Sequence, residues 1–572
     1  MVVTPYDNRS ISIEENLDCE VRDGSVLRGD VYHPSDGGHY PVLLCRTPYD
    51  KQNERYIASA RMLASRGYTV VVQDIRGRYE SEGEWVWQFA KAEKTSDADD
   101  GYDAVEWAAA LPWSDGQVGT WGHSYPSWCI WRLAGAQPPS LKALFASGMS
   151  ARSTDMNFGV FETGRRLEWA HGMAVDARRR AGFSHGPVSK DQAAKEWKTV
   201  ERYKWVWSLP LEAIPDDVFS TISPMLRQYY REQGLDVWDF NKIHPRVSVP
   251  TCQLTGWWDR LLGTADNFTG MVTAGTVNLR DQHRLVIGPW GHDSGDLRAD
   301  LGPVDHGALA NARYEDVVLR WYDHHFKGYE TGIGKEAPVR LFIMGENTWH
   351  FENEWPLDRT RYTDFFLSSK GGANTPFGDG VLTRDVPAGE RPDEYDYDPA
   401  NPVMSLMSEN SQAAPCDQSP LDGRHDVLVY QTDPLQTDIQ VTGPVTLKLW
   451  ASTDGPETDF TAKLIDVHPN GLAVNLSYGI MRTLYRNGYD QPSLTQARAV
   501  NEYTIKLMPT GILFRQGHRI RLDVSSSDFP NFDRNHNTGA DFWSDAELRV
   551  AHQTVFHDRE RPSRLVLPVI PR

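Results

Sequence analysis

Val118-Gly119-Thr120-Trp121-Gly122-His123-Ser124-Tyr125-Pro126 is the stretch that decides the fold. Its first four residues read as a brief strand, and Ser127 to Ala136 reads as a helix. Between them, Gly122-His123-Ser124-Tyr125-Pro126 forms a sharp strand-to-helix turn that lifts a serine hydroxyl above the sheet, at the N-terminal end of the helix. The free N–H groups and the dipole at that helix end favour developing negative charge. Gly122 permits the cramped turn. The usual pattern is G-x-S-x-G, and Pro126 stands in place of the last glycine, where the first helical turn needs no N–H donor. The pentapeptide alone fits a serine in an ordinary loop about as well; the strand–turn–helix setting favours a nucleophile.

Outward from this turn, short apolar runs alternate with helical patterns. Arg22-Asp23-Gly24-Ser25 reads as a hairpin turn. Pro41 to Arg46, Thr69 to Gln73 and Leu141 to Ala146 read as strands buried on both faces, and Tyr56 to Arg66 and Asp97 to Ala110 as helices. This alternation predicts an α/β fold with a mainly parallel sheet over residues 1–150. From 151 to 245 the pattern is helical, as in Phe161 to Ala177 and Asp191 to Trp205, and predicts an inserted helical segment. Strands resume at Thr251 to Leu254 and Arg284 to Ile287, with Val339 to Met344 as the last of a second core part, 246–354. From 355 to 572 period-two runs such as Val445, Leu447, Leu449 and Ile520, Leu522, Val524 predict an all-β sandwich. Ala388 to Pro402, rich in Pro, Asp and Glu, reads as a surface loop.

A serine hydroxyl needs a base, and the base an orienting carboxylate. In α/β-hydrolases these follow the nucleophile in the order acid, then His. Asp259 follows the strand Thr251 to Leu254, and His292 follows Arg284 to Ile287, both just beyond strand C-termini where the sites of parallel sheets gather. His123 is a poor base, since neighbours on a tight turn point apart. Asp293 and Asp296 compete with Asp259 but adjoin His292 in sequence. His324 and His325 sit in a helical run and read as structural. Two donors must meet the oxyanion: the backbone N–H of Tyr125 is one, and the Tyr49 hydroxyl, in the loop after an early strand, is a candidate for the other.

Composition narrows the partners. The 572 residues carry a formal net charge of -19, which disfavours nucleic acid and anionic membranes. Five scattered cysteines suit neither a disulfide framework nor a zinc site, and no pattern implies a metal or other cofactor. The polar start and the lack of long apolar runs predict a cytoplasmic protein.

Ordered motifs along the chain resemble the cocaine esterase and X-Pro dipeptidyl-peptidase family of serine hydrolases. They include Arg46-Thr47-Pro48-Tyr49-Asp50-Lys51, Gln73-Asp74-Ile75-Arg76-Gly77, Gly122-His123-Ser124-Tyr125, Gly256-Trp257-Trp258-Asp259 and Gly288-Pro289-Trp290-Gly291-His292. Later come Thr458-Asp459-Phe460-Thr461 and Ser525-Ser526-Ser527-Asp528-Phe529-Pro530. The resemblance implies an α/β-hydrolase core, an inserted helical cap and a C-terminal jelly roll. It also implies Ser124 as nucleophile, His292 as base, Asp259 as its partner, and Tyr49 with Tyr125 as the oxyanion hole. Pro126-Ser127 is a departure, at a place where the family member that the chain most resembles has a larger apolar residue followed by Gly.

Substrate choice is the least determined feature. Phe161, Trp169, Trp257, Trp258 and Trp290 are candidates to line a pocket for a bulky or aromatic acyl group, with Trp197, Trp205 and Trp207 further aromatics of the helical segment. The expected substrate is a small-molecule ester; an amidase or X-Pro-type aminopeptidase on the same residues is the alternative. The latter needs a carboxylate for the substrate amine, for which Asp155, Glu162 and Glu168 are available. A jelly roll offers edges and flat faces for pairing, so a homodimer remains open.

Overall fold

The computed structural model describes residues 8–91, 95–183, 185–292, 296–389, 391–407 and 415–571. Two antiparallel strands, β1 (Ile11–Glu20) and β2 (Val26–Pro34), flank the Arg22–Ser25 turn. There follow β3 (Tyr40–Thr47), α1 (Glu54–Ser65), β4 (Thr69–Asp74), α2 (Asp97–Ala109), β5 (Ser114–Thr120), α3 (Tyr125–Ala136) and β6 (Leu141–Ser147). After a helical stretch come β7 (Thr251–Gly256), α10 (Thr264–Ala274) and β8 (Arg284–Gly288), then two short pairings, β9 (Asp296–Leu297) with β12 (Ala312–Arg313) and β10 (Asp300–Leu301) with β11 (Val304–Asp305). The core ends with α11 (Tyr314–His325), β13 (Val339–Ile343) and β14 (Thr348–Glu352). The main strands form a 10-stranded sheet in the order β1-β2-β4-β3-β5-β6-β7-β8-β13-β14. From β4 to β13 all neighbours are parallel.

The parallel strands are buried on both faces because helices cover both. β4 shows the division. Val70 and Val72 pack with Ala60 and Leu63 of α1 and Trp321 and Tyr322 of α11. Val71 points the other way, towards Ala104 and Val105 of α2 and Trp128 and Trp131 of α3, as the two-residue period of a strand requires. The sheet does not stop at the Val339 strand, as the sequence suggested. Asn347 takes a left-handed conformation (φ 58°) and turns the chain back, so that β14 pairs antiparallel with β13.

The stretch between β6 and β7 is helical: α4 (Thr154–Asn157), α5 (Thr163–Arg180), α6 (Lys190–Glu196), α7 (Arg202–Trp205), α8 (Asp216–Phe219) and α9 (Ser223–Arg231). α5 is the longest of these, and its apolar face joins the core that holds Val71, Trp128 and Trp131. It buries Arg166, Leu167, Ala170, Met173, Ala174 and Ala177, and ends on Arg178, Arg179 and Arg180, which suit a helix C-terminus.

The C-terminal part is all β. It comprises β15 (Arg361–Ser368), β16 (Val381–Thr383), β17 (Asp393–Tyr397), β18 (Leu428–Gln431), β19 (Ile439–Thr453), β20 (Asp459–Val467), β21 (Ala473–Arg482), β22 (Asn501–Phe514), β23 (Arg519–Ser525), β24 (Ala551–Phe556) and β25 (Arg564–Val569). These strands make one 11-stranded sheet. β17 corrects the expectation of a surface loop over Ala388 to Pro402. Its acidic composition conceals a strand whose alternate residues Asp393, Tyr395 and Tyr397 are buried. Asp393 tolerates burial because Ser369, Tyr430 and His557 all hydrogen-bond its Oδ2. None of the five cysteines is in a disulfide, and among the described residues no helix is long and apolar enough to cross a membrane.

The all-β part is not a separate body. Trp257, Trp258, Leu285 and Ile287 of the α/β part share one core with Leu447, Tyr478 and Ile512. It also grips the helical segment: Gly164 N–H donates to the Pro530 carbonyl at 2.8 Å, Asp533 N–H to that of Phe161 at 2.6 Å, and the Tyr230 hydroxyl to Asp533 at 2.8 Å. The N-terminal turn of α5 is therefore tied to the β domain.

Candidate active site

Ser124 sits between β5 and α3 with φ 64° and ψ -124°, a backbone conformation that non-glycine residues seldom adopt. The strain is held by three backbone hydrogen bonds: Ser124 N–H to the Ser147 carbonyl, Ser147 N–H to that of Gly122, and Trp128 N–H to that of Ser124. The hydroxyl is thereby raised off the sheet into a cavity of about 340 Å³. His292 Nε2 lies 3.0 Å from Ser124 Oγ, and His292 Nδ1 lies 2.8 Å from Asp259 Oδ1.

The two loops that bring Asp259 and His292 together are bound to each other by their backbones. Trp257 N–H donates to the Gly288 carbonyl at 2.9 Å, and Trp258 N–H to that of Trp290 at 3.0 Å. The approach is so close that a Cβ on Gly256 would stand 2.0 Å from the Trp290 carbonyl oxygen. Asp259 is buried, accepts from the Leu261 N–H at 2.8 Å and from the Thr255 hydroxyl at 3.3 Å. Burial works to raise its pKa, but the neighbouring His292, through charge and hydrogen bond, and the Leu261 N–H outweigh it and hold the carboxyl down to about 2. It is an anion ready to stabilise a charged imidazole.

Tyr49 and Tyr125 meet Ser124 from the other side. Tyr125 is the first residue of α3, so its N–H is one of the helix's unpaired donors. The Tyr49 ring packs edge-on to those of Tyr125 and Trp169, and its hydroxyl oxygen accepts from the Trp169 indole at 3.2 Å. Burial raises the Tyr49 pKa against its hydrogen bonds with Trp169 and Ser124, which keeps the phenol protonated and a donor.

Of the aromatic residues expected around the substrate, Trp169 lines the cavity. The others are corrected. Trp257, Trp258 and Trp290 are buried and spend their indole N–H groups on the carbonyls of Phe342, Asn475 and Ala310. They are the packing that locks the two loops. Phe161 is buried against Tyr229 and Tyr230. Trp205 is buried, Trp207 packs on Phe529, and Trp197 borders an adjoining outer space of about 370 Å³. His325 packs on Trp321, far along α11. Asp293 lies outside the described residues, as does the side chain of Asp296.

Sequence reading gave His123 no part here, yet it holds the site together. Its Nε2–H donates to the backbone carbonyl of His292 at 2.5 Å, and its Nδ1 lies 3.1 Å from the Ser147 hydroxyl. Burial, and then the proximity of His292, push its pKa well down, so the ring is neutral. Also missed were Arg55, Arg165 and Arg166 on the cavity wall. The Arg165-Arg166 pair, one turn before Trp169 on α5, was their one sequence signal. Of the three carboxylates considered for an amine, Glu168 lines the cavity. Glu162 is buried under Arg166 and Arg260, and Asp155 lies near Arg152, where burial raises it to about 6. Among the described residues, two groups of side chains have the spacing to hold a metal ion: His123, Asp259 and His292, and, in the β domain, Asp466, His468 and His518. In the first, the hydrogen bonds just described already use the ring nitrogens.

Residues 23–294 match the X-Pro dipeptidyl-peptidase (S15) family, and residues 331–566 match the X-Pro dipeptidyl-peptidase C-terminal non-catalytic domain. The chain is 32% identical to cocaine esterase of Rhodococcus sp. (strain MB1 Bresler), over 98% of this chain and 99% of that protein. In fold it is similar to an aminopeptidase from a marine sediment Thaumarchaeota archaeon (TM-score 0.76, 24% identity, covering 100% of this chain and 98% of that one) and to an α-amino acid ester hydrolase (TM-score 0.75, 23% identity, 100% and 98%). With its α/β part and its all-β part both matched in order, the chain belongs to the cocaine esterase and X-Pro dipeptidyl-peptidase (S15) family of serine hydrolases.

Proposed function

We propose that the protein hydrolyses carboxylic esters with a bulky acyl group through an acyl-enzyme on Ser124. The observation that carries this reading is the unbroken line from Asp259 through His292 to Ser124 at the cavity floor. Ser124 Oγ bonds to the ester carbonyl carbon as His292 Nε2 takes its proton. The carbonyl oxygen becomes an anion, held by the Tyr49 hydroxyl and the Tyr125 N–H. Asp259 stabilises the imidazolium. The C–O bond to the alcohol then breaks, and His292 returns the proton to the departing oxygen. A water molecule, deprotonated by His292, attacks the acyl carbon, and Ser124 recovers its proton as the acid leaves.

The room for a bulky acyl group comes from the cavity volume and from Trp169, Trp121, Tyr56, Met149 and Met156 around it. The similarity to a cocaine esterase supports ester cleavage. An aminopeptidase needs a carboxylate to receive the substrate amine; Glu162 is committed to arginines, while Glu168 borders the cavity, so the anilide comparison separates the two readings.

The test pairs an ester with an anilide of the same acyl group. Ester turnover should exceed anilide turnover, a fluorophosphonate should label Ser124, and Ser124→Ala should lower turnover by about 10³-fold or more. Anilide turnover above ester turnover would favour the amidase, and an unlabelled Ser124 would remove the mechanism.

A further inference from the structure

Arg165 borders the same cavity as Ser124. Its side chain is 11% exposed, and its Nη1 is buried without a hydrogen-bond partner. The nearest anion is Glu162, whose Oε1 is 3.7 Å from that nitrogen, beyond hydrogen-bond reach. Glu162 is already engaged: Arg260 donates to Oε1 at 2.7 Å and Arg166 donates to Oε2. Three guanidinium groups therefore share one buried carboxylate.

This arrangement has a surplus of positive charge where charge is expensive to bury. Burial and the like charge of Arg260 push the Arg165 guanidinium down to about 9, with Glu162 opposing the shift. A second guanidinium on the cavity adds to the surplus. Arg55, on α1, lines the cavity, and among the described residues its guanidinium makes no hydrogen bond or ion pair. Against these, Glu168 is the carboxylate on the wall, and Asp259 is taken by His292. A guanidinium presents planar, paired donors that match a carboxylate.

We infer that the cavity around Ser124 selects acyl groups that carry a carboxylate, received by Arg165, with Arg55, which borders both this cavity and the adjoining space, adding attraction. The inference rests on ester hydrolysis at Ser124. The charge belongs on the acyl side because the acyl carbon stays bonded to Ser124 in this cavity. The alcohol can depart through the adjoining space bordered by Tyr49, Arg55, Trp169, Lys190 and Trp197.

The experiment measures kcat/KM by pH-stat for the monoethyl ester of hexanedioic acid, for ethyl hexanoate, for the ethyl ester of aminohexanoic acid, and for the hexanoate ester of glycolic acid. The first should exceed ethyl hexanoate by about tenfold or more, the size of one charge-assisted hydrogen bond. The cationic ester should be the poorest. The ratio of the first two should fall towards one in Arg165→Gln, fall partway in Arg55→Gln, and shrink as salt is added. Equal rates in the wild type, a ratio unchanged in both variants, or a preference that follows charge on the alcohol would overturn the inference while leaving ester hydrolysis intact. Should Arg165→Gln not fold, the exposed Arg55 carries the test. If no ester is cleaved and Ser124 is not labelled, the hydrolase reading fails, and this inference with it.

Discussion

The indole N–H of Trp169 donates to the hydroxyl oxygen of Tyr49 at 3.2 Å, across 120 positions of sequence. A phenol oxygen that accepts one hydrogen bond still has its own proton to give, and here the remaining direction is towards Ser124. Trp169 thus decides where the Tyr49 proton points, by a contact between the helical segment and the first loop of the α/β part. Trp169→Phe keeps the ring and removes the donor. It should lower turnover about threefold to tenfold, the worth of one neutral hydrogen bond. Tyr49→Phe should cost about 10²–10³. The double variant should match Tyr49→Phe alone, because the indole then has nothing left to orient. Additive losses would show that Trp169 acts on substrate directly.

His123 ties the turn that carries Ser124 to the backbone of His292. Phe at position 123 fills the space without the bond. Turnover in His123→Phe should fall about tenfold, with KM changed far less, because the base is less well placed while the cavity keeps its walls. An unchanged kcat would make His123 a packing residue. Its neutral state adds a check: by NMR the ring should stay uncharged in mildly acidic solution, since its pKa is well below the ordinary histidine value.

Glu162 supplies stability that depends on pH in a definite direction. Burial alone would raise its pKa, but Arg166, Arg260 and Arg165 bring it from 4.5 down to about 2. Because the folded value is the lower one, the contribution is complete above pH 4.5 and is lost as pH falls towards 2. At 1.36 kcal/mol per pKa unit this is ~3 kcal/mol. Glu162→Gln should lower Tm at neutral pH and flatten the fall in stability between about pH 4.5 and 2. An unaltered acid profile in denaturant melts would show that the pairs contribute no net stability.

Two glycine substitutions should move stability in opposite directions. Gly256→Ala places a methyl group against the Trp290 carbonyl, so the loops bearing Asp259 and His292 must separate. Both Tm and turnover should drop, by about 1–3 kcal/mol in stability. Gly172→Ala, within α5 and with nothing within 4 Å of the new Cβ, should gain about 0.5–1 kcal/mol. Thermal melts of both variants distinguish a tight approach from an idle glycine.

The sequence by itself determined whatever is local or periodic. The strand–turn–helix around Ser124, the alternation of buried strands with helices, and the period-two runs after residue 355 are written in neighbouring residues, because backbone geometry repeats every few positions. It also placed Asp259 and His292 at strand ends, and the structure sets them in one line with Ser124. What only the tertiary structure decided is how distant side chains share a wall. Trp257, Trp258, Trp290 and Trp169 look alike as aromatic residues near the motifs, yet three lock loops and one faces the cavity. β17 was hidden because its buried acid is neutralised by partners up to 164 positions away. Arg165 was invisible as a binding group because its meaning lies in what it lacks, a carboxylate of its own, and that can be counted only after Arg166 and Arg260 have closed on Glu162. Hydrogen bonds and charges act through space at a few ångströms, whatever the separation along the chain.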